Sequence, residues 1–360
     1  MEPAMITKIV AVKRDNVIIK DEDTINIIKE AGLILKRGGL VAFPTETVYG
    51  LGGDALNPRS SEKIYNAKGR PSDNPLIIHI ASIEKLEQIV EIIPQKGRAL
   101  ANAFWPGPLT MIFHKSEIVP DETTGGLSTV AVRMPSHETA IALIEAAGGF
   151  IAAPSANLSG RPSPTVAKYV IEDMDGRIDM IIEGDAIEIG LESTIVDVTE
   201  DPPVILRPGF VTKEMLEAII GEVKTDRTIL EGTSTKAPKA PGMKYRHYAP
   251  KGEMTMIEGK PEQVIACINE RAKKAKAEGK KVGVIATTEN IMQYEADYIK
   301  CIGSKQNEEQ IASQLYRILR EFDDDGVDVI LSECFSEEGM GYAIMNRLLK
   351  ASGYRKIILK

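Results

Sequence analysis

Cysteine is scarce. Cys267, Cys301 and Cys334 are the only three in 360 residues, and no two of them form a C-x-x-C pair. An odd, unpaired set fits a reducing compartment and argues against both a disulfide framework and a thiolate zinc site. Histidine is equally thin: four residues lie beyond metal-ligand spacing of one another, and His137-Glu138 does not begin a zincin motif because position 141 is Ile. Aromatic residues make up 5% of the chain, with Trp105 the only tryptophan, which leaves no stacking clusters for single-stranded nucleic acid. Positive charge is not in excess. The formal net charge is −8, against a general grip on nucleic acid but compatible with a local basic cleft. Nowhere do 18 apolar residues run together, and the stretch containing Glu2 and Lys8 has no apolar signal-peptide core. A cytoplasmic protein with no membrane contact is therefore expected.

What is present suffices for a full core: 43% of residues are hydrophobic and 27% charged. The length argues for about two domains. The chain is organised around residues 38–80, GGLVAFPTETVYGLGGDALNPRSSEKIYNAKGRPSDNPLIIHI. Leu40–Phe43 reads as a buried strand that Pro44 ends, so Thr45-Glu46-Thr47 opens at its carboxyl edge, where ligands collect in α/β sheets. Asn57-Pro58 signals a helix running to Lys68. Lys68, Arg70 and Ser72 then place two cations and a hydroxyl around Gly69, and His79 sits in the next apolar run. Each cation alone also fits a solvated surface, and Lys68 also suits a helix C-terminus. Together they suggest an anion pocket, most plausibly for phosphate.

Three further clusters repeat this arrangement. Alternation in Thr129–Pro135 puts Thr129, Ala131 and Arg133 on one strand face, and a covered Arg133 requires an anionic partner. Gly149–Ala153 is a second strand broken by proline, delivering Ser155, Asn157 and Ser163. Ser193 enters the strand at Thr194–Asp197, and Arg207 ends the run Val204–Leu206. Residues 228–250 are polar and proline-broken, which reads as a linker, although Tyr245-Arg246-His247-Tyr248 is costly to leave in solvent. From Glu253, strands and helices alternate as in a small parallel sheet. That half lacks G-x-G-x-x-G and P-loop patterns, and Asp323–Gly326 reads as a helix exit rather than a metal loop.

PTE, KGRPSDNPL, WPGPLT, the Ser155-Ala156-Asn157 loop and the Ser193 and Arg207 positions together resemble the YrdC-like family. These are the threonylcarbamoyl-adenylate synthases that begin t6A modification of tRNA. The resemblance covers roughly residues 20–225, and the Tyr-Arg-His-Tyr linker resembles the family's two-domain form. It implies an α/β fold: an N-terminal twisted mixed sheet with helices around an open cleft (1–227), a linker or lid (228–250), and a C-terminal Rossmann-like parallel domain (251–360). It implies that L-threonine, bicarbonate or CO2, and ATP with Mg2+ give threonylcarbamoyl-AMP and pyrophosphate. The product would pass to a tRNA threonylcarbamoyl transferase complex, with tRNA itself bound weakly or indirectly. Carried over residue by residue, Lys68 and Arg70 serve the triphosphate, with Ser72, Thr129, Ser155, Asn157, Ser163 and Arg207 on the ATP side. Thr45, His79, Arg133 and Ser193 face threonine, and Tyr245 and His247 form the lid. No general base stands out. A non-catalytic RNA-binding module using the same cleft is the alternative. The hydrogenase-maturation carbamoyl-transfer enzymes that contain a related domain would need paired C-x-x-C motifs.

Overall fold

In Glu22–Lys36 (α1), buried Ile28, Ala31 and Leu35 recur at helical spacing, and this stripe covers the first sheet. The computed structural model describes residues 5–12, 22–185, 187–226, 229, 240–241 and 247–360. The lid residue Tyr245 lies outside them. The described chain divides into two units. One contains residues 1–159, 163–188 and 192–244; the other contains 160–162, 189–191 and 245–360.

The first unit is built on β1 (Lys8–Ala11), β2 (Val41–Phe43), β3 (Gly50–Asp54), β4 (Ile77–His79), β5 (Leu109–His114), β6 (Thr129–Arg133), β7 (Ile151–Ala152), β8 (Met180–Glu183), β9 (Thr194–Asp197), β10 (Val204–Arg207) and β11 (Lys224–Thr225). They form one mixed sheet in the order β1-β8-β2-β3-β7-β4-β6-β5-β9-β10-β11. On one face, α1 and helix Glu138–Ala146 pack Leu35, Leu143 and Ile144 against Val41, Phe43, Ile151 and Ile182. The two helices meet where a Cβ on Gly32 would stand 2.7 Å from the Cβ of Ala146, so only glycine allows that approach.

The helix Pro58–Lys68 (α2) starts where Asn57-Pro58 signals it. Asn57 caps it by accepting from the Arg59 N–H, and Pro58 occupies the first turn. The strand β3 was not legible in Tyr-Gly-Leu-Gly-Gly, because glycine there reads as loop. Buried in the sheet, it lets Phe43 and Ile151 approach within 3.0 Å of the Gly52 Cβ position. Ala240, within the stretch read as a linker, is fully buried against Ile77, Ile112, Ala131 and Ile195 of the first unit.

The second unit carries five parallel strands, β12 (Glu253–Glu258), β13 (Val282–Thr287), β14 (Tyr298–Gly303), β15 (Val329–Glu333) and β16 (Lys356–Ile358). Their order is β14-β13-β15-β12-β16, in which β16 is a short three-residue strand. Gly326 ends helix Glu308–Asp325 in the left-handed conformation, the helix exit expected of Asp-Asp-Asp-Gly. Tyr248 packs on Tyr316 at 5.2 Å between ring centroids, and Arg320 donates two hydrogen bonds to the Pro162 carbonyl within this same unit.

Candidate functional site

Strand register builds the site. β4 and β6 run parallel with His79 opposite Arg133, and antiparallel β5 puts Thr110 on the other side of Arg133. One step further along the sheet, the Ser193 hydroxyl lies 2.7 Å from that of Thr110. Arg207 donates from Nε to the Ser193 carbonyl at 3.1 Å and from Nη2 to its hydroxyl at 3.2 Å. Sequence-distant His79, Arg133, Ser193 and Arg207 thus become neighbours through adjacent strands.

The turn between β2 and β3 lies against this row. Thr45 Oγ1 donates to the Val48 carbonyl at 2.6 Å and accepts the Thr47 and Val48 N–H groups. Its proton being committed, Thr47 is the donor in the 3.0 Å contact between the two hydroxyls. Thr47 then accepts from Arg133 Nη1 at 2.9 Å. The anion that Arg133 requires is Glu46, with Nη2 2.7 Å from Oε1 and both side chains under 9% exposed. Burial alone would raise the Glu46 carboxyl pKa. The Arg133 charge and its close contact, with the backbone at Glu46 and Ser136, outweigh it and hold the group below the usual carboxylate range. His79 is pushed down to about 3, first by burial and then by the Arg133 charge. Its Nδ1 faces the Ile77 carbonyl at 3.1 Å. His79 is therefore neutral at pH 7.

The other cationic centre is the end of α2. Lys68 is its last residue, and Gly69 takes φ +59, the left-handed cap that turns the chain. Lys68 is 2% exposed, and its ammonium donates to the carbonyls of Ser155 and Asn157. Ser155 in turn donates to Asn157 Oδ1 at 2.6 Å, and Gly50 at the start of β3 bridges Ser155. Arg70 reaches the Asn74 and Pro75 carbonyls. The Ser163 hydroxyl donates to Glu192 Oε1 at 2.6 Å, both buried.

Two candidates stand apart. Ser72 lines an open pocket with Glu62, Tyr65, Asp73, Asp121 and Glu122, an acidic surrounding ill-suited to phosphate. Thr129 opens β6 opposite His114, whereas Arg133 closes it; a ligand touching both must span roughly 13 Å of strand. His247 is described, but Tyr245 is not. Sequence reasoning missed Glu46, Thr47, Thr110 and Glu192 as partners. The buried Arg133 signalled that an acid must exist, but only strand register identifies which one.

A family model described as telomere recombination matches residues 33–209. A second, described as threonylcarbamoyl-AMP synthase, C-terminal domain, matches 211–353. The threonylcarbamoyl-AMP synthase of Pyrococcus abyssi is 53% identical over 330 residues, 92% of this chain and 95% of that one. That of Bacillus subtilis is 48% identical, over 92% of this chain and 94% of its own. The crystal structure of P. abyssi Sua5 complexed with L-threonine superposes with a TM-score of 0.92 at 50% identity, covering 98% of this chain and all of that one. Matched along more than nine-tenths of its length by these relatives, and in both halves by family models, the chain belongs to the threonylcarbamoyl-AMP synthase family.

Proposed function

We propose that this chain joins L-threonine, bicarbonate or CO2, and ATP into threonylcarbamoyl-AMP with release of pyrophosphate, the first step of t6A formation. One observation carries the reading. The turn 44–49 touches Arg133 through Thr47 at one end, and Gly50 beside it bridges Ser155, whose carbonyl holds Lys68. Arg133 and Lys68 are thereby tied to one turn, which supports an amino-acid cation and a phosphate cation working side by side.

In this reading Arg133 takes the threonine carboxylate, with Thr45, neutral His79 and Ser193 around the substrate. Lys68 and Arg70 neutralise triphosphate oxygens, and Arg207, Ser155, Asn157, Ser163 and Thr129 lie along the nucleotide. The carbamate formed from threonine attacks the α-phosphorus, and pyrophosphate leaves. This chemistry depends on positioning and charge neutralisation rather than on a protein nucleophile. Among the described residues no group of three or more His, Cys, Asp or Glu is arranged to hold a metal ion. In this reading Mg2+ rides on the triphosphate of ATP. A carbamate is short-lived in water, so a lid bearing Tyr245 and His247 has a physical purpose. The product would be handed to a tRNA threonylcarbamoyl transferase.

No described helix is long and apolar enough to cross a membrane. The RNA-binding alternative finds no support in the relatives, which are named for synthesis. The test is pyrophosphate release from ATP with and without L-threonine and bicarbonate. Release that needs both supports the reading. ATP left intact with both present overturns it.

A further inference from the structure

The cleft contains a carboxylate that the reaction as described does not use. Glu46 is 8% exposed. One oxygen meets Arg133 Nη2 at 2.7 Å, and the backbone at Glu46 and Ser136 helps to stabilise the charge, yet none of these contacts has full hydrogen-bond geometry. Buried carboxylates accept several hydrogen bonds when they are purely structural, because each unsatisfied oxygen costs free energy. Glu46 also lines a cavity of about 70 Å³ with Thr45, Ser136, His137, Asp185, Ile187 and Glu188. That is roughly the space of two waters. It has room for an ammonium group and its neighbouring carbon.

Resting on the synthase reading and on the Arg133 role within it, we propose that Glu46 is the subsite for the amino group of the amino-acid substrate. An α-amino acid carries its ammonium and its carboxylate on one carbon. A guanidinium and a carboxylate already in contact present the complementary charges at that spacing, Arg133 to the substrate carboxylate and Glu46 to its ammonium. The pair orients the substrate rather than merely attracting it, because reversing the amino acid sets like charge against like at both ends. It also keeps both protein charges paired in the absence of substrate, when each would otherwise be buried alone. Fixing the nitrogen fixes the atom that must meet bicarbonate, so Glu46 touches substrate at the reacting end.

A purely structural Glu46 predicts the opposite. As a competitor for Arg133, its removal frees the guanidinium and tightens the hold on any carboxylate. The experiment compares L-threonine with 3-hydroxybutanoate, which keeps the carboxylate and hydroxyl but lacks the amine, by calorimetric titration of the full chain. The expected result is that wild type binds threonine at least about tenfold more tightly, and that Glu46→Gln erases the difference by weakening threonine alone. The same two ligands binding wild type equally overturns the proposal without any variant being needed. So does a Glu46→Gln protein that weakens both ligands by one factor or tightens both. Glu46→Asp, which keeps the charge on a shorter arm, is expected to retain part of the preference should Glu46→Gln fail to fold. Failure of the synthase reading is distinct: wild type then shows no threonine-dependent pyrophosphate release.

Discussion

Arg133 and Glu46 form a buried ion pair at 2.7 Å, joining the end of β6 to the turn after β2. Its strength depends on both members being present. Removing one leaves a buried charge alone, a loss of about 3–5 kcal/mol. Arg133→Met is therefore expected to lower the unfolding free energy by that order, measured by denaturant titration. The double variant Arg133→Met with Glu46→Leu should recover much of the loss while binding no threonine. A double variant no more stable than the single one would refute the burial argument.

His79 gives the fold a pH dependence of known sign. Its folded pKa of about 3 lies below the ordinary histidine value of 6.5, so the unfolded chain binds the extra proton between those values. The stability it contributes is full above about pH 6.5 and falls as pH drops towards 3, by at most about 1.4 kcal/mol per pH unit. Unfolding titrations across that window should flatten in His79→Asn relative to wild type. Parallel curves for the two proteins would assign the slope to other groups.

Lys68 ties down the Ser155–Asn157 loop as well as facing the proposed phosphates. Lys68→Met should reduce kcat/KM for pyrophosphate release at least about 100-fold, or about 2.7 kcal/mol. It should also cost about 1–3 kcal/mol of stability through the two stranded carbonyls. Full activity in a folded Lys68→Met protein would remove Lys68 from the site.

Gly69 should separate geometry from contact. At φ +59 nothing lies within 4 Å of the Cβ position, so Gly69→Ala pays only the left-handed backbone, about 1–2 kcal/mol. Asn57→Ala at the other end of α2 should cost about 1 kcal/mol as a lost cap. Both are read by thermal unfolding, and threonine affinity should survive in each. A loss of threonine binding in Asn57→Ala would show that α2 is coupled to the amino-acid end.

Local chemistry wrote much of this protein into its sequence. Pro44 ends β2, Asn57-Pro58 and Gly69 bracket α2, Asp-Asp-Asp-Gly closes its helix, and alternation marks β6, because each signal acts within a few residues. The recurrent hydroxyls and cations after short apolar runs made Lys68, Arg133 and Ser155 legible as site candidates for the same reason. Pairing across the sheet was not legible. Thr110 beside Ser193, Glu46 beneath Arg133 and Glu192 under Ser163 depend on strand order and register, and on burial that makes an unmatched charge costly. The glycines of β3 were misleading in isolation, since their lack of side chains is what lets Phe43 and Ile151 fill the space above them. The sequence alone determined which residue types line the strand ends. Tertiary structure decided which of them meet, because partners far apart in the chain are chosen by the geometry of the whole sheet.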